Sequence, residues 1–502
     1  MSKQLEELKN RLQEVEALSA AASVLGWDQT TFMPPGGAKA RGRQLAVVSR
    51  IGHEKLTDPM IGRLLDELER EFADLPADSD DAALIRVARR DYDKATRIPA
   101  DFVSAFNEHQ AAAYQAWSSA RPENDFKAVE PMLQKTLEFS RELSGFFPGF
   151  DHIADPLIDL SDEGMTVEIL SDLFQQLRDE LVPLVHEIAA APEIDDSCLK
   201  QHFPGDAQLE FGKKVIRDFG YDFERGREDI SPHPFTTSFS IGDVRITTRI
   251  KENDLTEALF GTLHEAGHGI YEQGIDPAYE GLPLADGTSS GVHESQSRLW
   301  ENVIGRSKPF WEFYYPELQA VFPAQLNDVS LETFYRAINK VTRSLIRTDA
   351  DEVTYNLHVM IRFDLEQQLL EGNLNVSDLP EAWDARYQSD LGVQAPDTRD
   401  GVLQDVHWFA GRIGGMFQGY TIGNVLSTQF YTAALQDHPE IQDQTAHGSF
   451  QVLHSWMKEQ IYRHGRKYAA LDLIERTTGG LIRAQPYIDY LKMKFGELYG
   501  LS

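Results

Sequence analysis

A single cysteine, Cys198, stands in a chain of 502 residues, so no intrachain disulfide framework can form. Its neighbours Asp195, Asp196 and Ser197 offer no cation to stabilise a thiolate, which sets thiol catalysis aside. No stretch of about 18 consecutive apolar residues occurs, and a transmembrane helix is excluded on that ground. The opening Met1-Ser2-Lys3-Gln4-Leu5-Glu6-Glu7 lacks the apolar core of a secretory signal, so the expected location is the cytoplasm. Basic residues are few: 48 Lys and Arg face 80 Asp and Glu, a net charge of −32. A field of that sign repels polyanions, and neither nucleic acid nor an anionic membrane is expected as a partner. Repeats, low-complexity tracts and long linkers are also missing, so the chain reads as one domain over 1–502.

What is present is helical periodicity. Leu5, Leu8, Leu12, Val15 and Leu18 recur at three- and four-residue spacing through 3–25. Similar patterns predict helices over 80–118, 124–145, 165–190, 255–272, 290–304, 330–372, 449–463 and 485–498. Breakers such as Met33-Pro34-Pro35-Gly36-Gly37 and Phe147-Pro148-Gly149 separate them. The helices up to about residue 120 carry no chemistry of their own and are expected to cap one side of a site. One segment changes period. Residues 235–249 are rich in β-branched and aromatic side chains around Gly242-Asp243, which predicts a β-hairpin packed on helices. The fold class is therefore mainly α, with a small hairpin.

The hairpin precedes His264-Glu265-Ala266-Gly267-His268. On a helix, positions i and i+4 share a face, so His264 and His268 can converge on one ion. Neutral imidazoles suit Zn²⁺, and Glu265 is placed to take a proton from the attacking water. A third ligand is required. Glu294, in His293-Glu294-Ser295-Gln296-Ser297, opens another helical run and is the first choice. By spacing alone Glu272, Glu280, Asp286 and Glu301 compete. His293 points about 100° away from Glu294 on the same helix and is set aside.

Hydrolysis at a chain end needs a cation for the substrate carboxylate, best a guanidinium. Arg347, in an apolar helical run with Asp349 and Asp351 nearby to orient it, is the candidate. Arg245 on the second strand is an alternative. A tetrahedral intermediate also needs hydrogen-bond donors. His407, with Asp405 beside it, and Tyr420, in the glycine-rich run Gly414–Asn424, are the candidates.

Several of these segments, in this order, are shared with one family. His233-Pro234-Phe235, Asp243-Val244-Arg245-Ile246-Thr247, the His264–His268 motif, His293-Glu294-Ser295-Gln296-Ser297, Ile346-Arg347-Thr348-Asp349-Ala350-Asp351 and Gly401-Val402-Leu403-Gln404-Asp405-Val406-His407-Trp408 resemble the carboxypeptidase Taq family of metallocarboxypeptidases. Trp27-Asp28-Gln29 and Met33-Pro34 resemble it too. The resemblance implies a helical zincin fold with a deep groove, and ligation of zinc, replaceable by cobalt, by His264, His268 and Glu294. It implies Glu265 as general base, His233 among the substrate-binding residues, and a homodimer that removes C-terminal residues with broad specificity. Peptides with a free C-terminus are the expected partners. Many zincins place an aspartate four residues after the ligand glutamate; here Arg298 stands there, and the partners of the zinc histidines are unassigned. Two other readings compete: an oligoendopeptidase or dipeptidyl carboxypeptidase with the same metal site, and a non-catalytic helical peptide-binding scaffold.

Overall fold

Ser2 accepts a hydrogen bond from the Leu5 amide and starts the first helix, Lys3–Thr31. That helix buries Leu5, Leu8 and Leu12 against Ile61, Leu65, Leu68, Leu84 and Ala88. These side chains make a small core of their own in the computed structural model, which describes residues 2–501. Ile241, Ile275, Tyr279 and Leu284 from the body close that core. The N-terminal helices are thereby sealed onto the hairpin turn and onto the loop after the motif helix. The helix Ala100–Ala120 belongs elsewhere: Phe102, Ala113 and Ala120 pack into the main core.

Helices over most of the predicted stretches build that main core, with Trp300, Trp311, Trp383 and Trp408 among its largest buried side chains. The stretch read as 80–118 divides at Pro99 into Asp80–Arg97 and Ala100–Ala120, since proline disfavours a helical residue before it. The stretch 330–372 is a larger departure. It holds two helices, Leu331–Ile338 and Tyr355–Glu371, with irregular backbone between. Side chains take over the backbone donors there. The Val341 amide donates to the Tyr499 hydroxyl, and the amides of Thr342, Val353 and Thr354 donate to the Asp351 carboxylate. Arg347 consequently sits on a short 3₁₀ turn, not on a long helix.

The predicted hairpin is present as β2 (Thr236–Ser240) and β3 (Asp243–Thr248). A third strand, β1 (Gly226–Ile230), pairs parallel to β3, giving the order β1-β3-β2. Its run Arg227-Glu228-Asp229 hides it from a hydrophobicity reading; Glu228 is buried and accepts from the Thr262 hydroxyl at 2.5 Å. β1 and β2 are the two edges of the sheet, and β2 is the one that lines the site. Among the described residues no helix is long and apolar enough to cross a membrane.

Candidate metal centre and substrate groove

The motif lies on the helix Leu255–Gly274, whose N-terminus is capped by Asp254. Leu259, Leu263, Ala266 and Ile270 anchor it in the core. The opposite face carries His264, Glu265 and His268 into the groove. Glu294 stands on a second helix, Ser290–Arg298, whose first turn is held by Ser289 and by Asp162, which accepts from the Gly291 amide at 2.7 Å. Gly267 lets the motif helix approach the Glu294 helix, and Gly423, on a third helix Gln418–Asp437, lets that one approach it from the other side. A Cβ on Gly267 would lie 2.5 Å from the Gln296 carbonyl oxygen, and one on Gly423 would lie 2.4 Å from Glu294 Cγ. Glu294 Oε2 comes to 3.7 Å from His264 Nε2 and 3.5 Å from His268 Nε2. One donor atom from each of the three lies within 4.8 Å of the others, and among the described residues no other such group of His, Cys, Asp or Glu converges.

The atoms that do not face the common point are tied down. His264 Nδ1 pairs with Glu301 Oε2 at 2.9 Å. His268 Nδ1 lies 2.6 Å from His293 Nδ1, and His293 Nε2 lies 2.7 Å from Glu272 Oε1. Both histidines therefore have their Nε2 free for an ion and their Nδ1 held by a partner. Burial pushes the His268 pKa down to about 3, which keeps its lone pair available. Burial alone would raise Glu294; the Arg298 guanidinium and the two imidazoles hold it well below the usual carboxylate range. Two imidazoles and an ionised carboxylate, oriented in this way, are a donor set that fits a divalent ion.

Arg298 explains its own departure from the zincin pattern. It donates to Glu294 Oε1 at 2.7 Å and to Glu301 Oε2 at 3.2 Å, so it binds the ligand and the histidine brace together. Positions 294, 298 and 301 are i, i+4 and i+7 on one helical face, and the backbone widens into a π-helical turn over Leu299–Ile304. Glu265 is buried, with Oε2 accepting from the Thr236 hydroxyl of β2 at 2.7 Å. Burial, with Glu294 and Glu301 nearby, raises its pKa against the pull of His264 and the Thr236 hydrogen bond.

The groove containing these groups has a volume of about 860 Å³. Its walls are the first helix, β2, the 280–286 loop and Tyr420. Behind Tyr420 lies a buried cluster. Asp405 Oδ2 accepts from Arg347 Nε at 2.7 Å and from Arg362 Nε at 3.0 Å, and Asp405 Oδ1 pairs with His407 Nδ1. His407 Nε2 lies 3.4 Å from the Tyr420 hydroxyl. Arg347 Nη1 donates to the Tyr355 hydroxyl at 3.1 Å, and its Nη2 has no hydrogen bond to a described residue. Arg347 Cζ is 5.4 Å from the Tyr420 ring. Two guanidiniums thus share one carboxylate. Burial would raise Asp405, yet the His407 contact and both guanidiniums hold it well below its ordinary value. The pair expected to orient Arg347 does not do so: Asp349 is exposed, and Asp351 is engaged with backbone amides.

The profile described as "Carboxypeptidase Taq (M32) metallopeptidase" matches residues 7–495. The chain belongs to that family. It is 39% identical over 497 residues to thermostable carboxypeptidase 1 of Thermus thermophilus, covering 97% of each chain. An M32 carboxypeptidase structure from Deinococcus radiodurans superposes with a TM-score of 0.97 at 50% identity, over 99% of this chain and 100% of that one. Metallocarboxypeptidase 1 of Trypanosoma cruzi gives 0.93 at 30% identity over 99% of both. As an M32 metallocarboxypeptidase the protein is a hydrolase of peptides that works with a divalent metal ion, and the scaffold reading falls.

Not every candidate converges in this M32 chain. His233 is exposed and absent from the groove wall. Arg245 forms a two-toothed pair with Asp243 at 2.8 Å and stacks over Trp27 at 4.4 Å, so it joins the sheet to the first helix instead of facing the groove. Arg347 and His407 are absent from the groove wall and lie behind Tyr420, which His407 meets at 3.4 Å and Arg347 approaches at 5.4 Å. Of the competing ligands, Glu301 and Glu272 brace histidines, while Glu280 and Asp286 line the groove. Thr236, Arg362 and the bracing role of Glu301 escaped the sequence reading, in which Glu301 stood only among the competing third ligands.

The glycine contact gives a test of how the third ligand is placed. Gly423→Ala is expected to displace the Glu294 helix, because the clashing Cγ cannot swing away without losing the ligand position. Overpacking of this kind costs about 1–3 kcal/mol. Calorimetry should show a lowered Tm, and metal titration a weakened Kd; unchanged values for both would show that the contact relaxes freely.

Proposed function

We propose that the protein releases residues from the C-terminus of peptides with broad specificity, using a zinc ion held by His264, His268 and Glu294. When bound, the ion supplies Lewis-acid polarisation and acidifies water. Glu265 takes the proton of the attacking water and delivers it to the leaving amine, a role suited to its buried, raised carboxyl. Tyr420, supported by His407, donates a hydrogen bond to the oxyanion that develops at the scissile carbonyl. Arg347 Nη2 binds the terminal carboxylate. The free edge of β2 aligns the peptide by backbone pairing. The observation that carries the reading is the charge imbalance beside Tyr420: Arg347 and Arg362 face only Asp405, which leaves one positive charge for a substrate carboxylate.

Mass spectrometry of an unblocked peptide incubated with metal-loaded enzyme tests the reading. A ladder shortened one residue at a time from the C-terminus is expected. Internal fragments would favour an oligoendopeptidase, and losses in pairs a dipeptidyl carboxypeptidase. The groove floor lies beneath the N-terminal helices, so intact folded proteins are expected to stay uncut in the same assay.

Removal of the metal by a chelator is expected to abolish turnover, and Zn²⁺ or Co²⁺ to restore it. Two imidazole donors suit Zn²⁺ or Co²⁺ better than Mg²⁺ and Ca²⁺, which prefer oxygen ligands. Recovery with Mg²⁺ alone would overturn the zinc assignment. The reading includes a cytoplasmic homodimer, supported by the lone thiol and by the family resemblance, and sedimentation velocity measures the dimer.

A further inference from the structure

The groove does not end at the first helix. A second chamber of about 430 Å³ adjoins it, and Glu16, Ser19, Pro283 and Arg466 form walls of both. These four residues form the border between the metal groove and the space beyond. The chamber is largely apolar: Leu12 and Val15 of the first helix, Leu56, Ala95 and Ile98 line it. Its charges are mostly spent. Arg466 grips Asp91 through two hydrogen bonds of 2.8 Å, and Lys94 donates to the Asp159 carbonyl at 3.1 Å. Glu16 is the exception. Its carboxylate has no hydrogen bond to a described residue, although it is half-buried. Burial, with Asp286 and Asp91 nearby, pushes its pKa up to about 7 against the pull of Arg466. An acid in such a place lacks a cation.

We propose that the chamber is a distal substrate subsite: a peptide long enough to pass this shared border seats an apolar side chain on the Leu12, Val15, Leu56 and Ile98 wall, and a cationic group of the same peptide pairs with Glu16. The occupant follows from continuity. The chamber shares four wall residues with the groove that holds the metal ligands and Glu265, and a peptide anchored by its C-terminus beside Tyr420 has only its upstream residues free to reach the first helix. The cation is either the α-ammonium or a Lys or Arg side chain, and both present the same charge to Glu16. The inference rests on Arg347 as the C-terminal anchor.

The test is kinetic. Peptides sharing their last two residues are lengthened upstream, with free or acetylated N-termini and with Lys or norleucine at the added positions. They are compared in the wild type, in Glu16→Gln and in Ala95→Phe, which fills the chamber. In the wild type, kcat/KM is expected to rise about tenfold at the length that reaches the chamber, the worth of one charge-assisted contact. The acetylated and norleucine arms identify which cation contributes. Glu16→Gln should lose the part due to the cation and Ala95→Phe the whole gain, with kcat/KM for an N-blocked dipeptide unchanged in both. A gain that survives both substitutions, or no gain at any length, overturns the subsite. An amidated dipeptide cut as well as the free acid would instead remove the anchor, and the proposal with it.

Discussion

Glu265→Gln is expected to lower kcat about 10²- to 10⁴-fold while the metal stays bound, the range typical of losing one positioned general base. Glutamine keeps the shape and can still accept from the Thr236 hydroxyl, so the β2 contact and the helix survive. The three ligand atoms belong to other side chains, which predicts a metal content equal to that of the wild type. Only the ability to take a proton is lost. The measurement pairs kcat on a short peptide with elemental analysis and a melting curve. Turnover within tenfold of the wild type, with full metal, would show that another group carries the proton. Loss of metal together with activity would point to a structural role for Glu265 and would remove it from the chemistry.

This centre was legible in part because its first element is local. The spacing of His264 and His268 is a statement about one helical turn, and the turn is there. The choice of Glu294 over Glu301 was not local. Both lie on the same helical face, and which carboxylate reaches the imidazoles depends on how closely the helices pack at Gly267 and Gly423. Glu301 then takes the other side of His264 and becomes its brace. The brace for His268 comes from His293, set aside as a ligand because it points away from Glu294; that direction carries it to Glu272. The orientation of Arg347 was misread for a similar reason. Nearby aspartates in sequence suggested the partners, whereas the partner is Asp405, 58 residues away. The broken backbone around Arg347 depends on acceptors as distant as Tyr499 and is invisible to periodicity. β1 was missed because its three central residues, Arg227, Glu228 and Asp229, are all charged, although its pairing with β3 needs only the backbone.

That cluster around Asp405 makes the second large prediction. Arg347→Ala should reduce kcat/KM for peptides with a free C-terminus by about 10²- to 10³-fold, the cost of removing one partner from a buried, charge-assisted pair. Amidated analogues, which offer no carboxylate, should be cut poorly by the wild type and no worse by the variant. The contrast between the two substrates, not the loss itself, carries the argument, since a general disturbance of the site would lower both. A further comparison separates anchoring from packing. Arg347→Lys keeps a charge but cannot reproduce the fork that binds Asp405 through Nε and Tyr355 through Nη1. It is expected to recover only a small part of the loss. Asp405 itself should respond differently. Asp405→Asn leaves two guanidiniums without their shared carboxylate, so the substrate carboxylate becomes their only anion, while His407 loses the group that orients it towards Tyr420. KM for free-ended peptides should therefore hold or fall as kcat drops. A rise in KM with kcat unchanged would mean that Asp405 serves binding alone, and the link from Arg347 through Asp405 to the oxyanion donors would have to be abandoned.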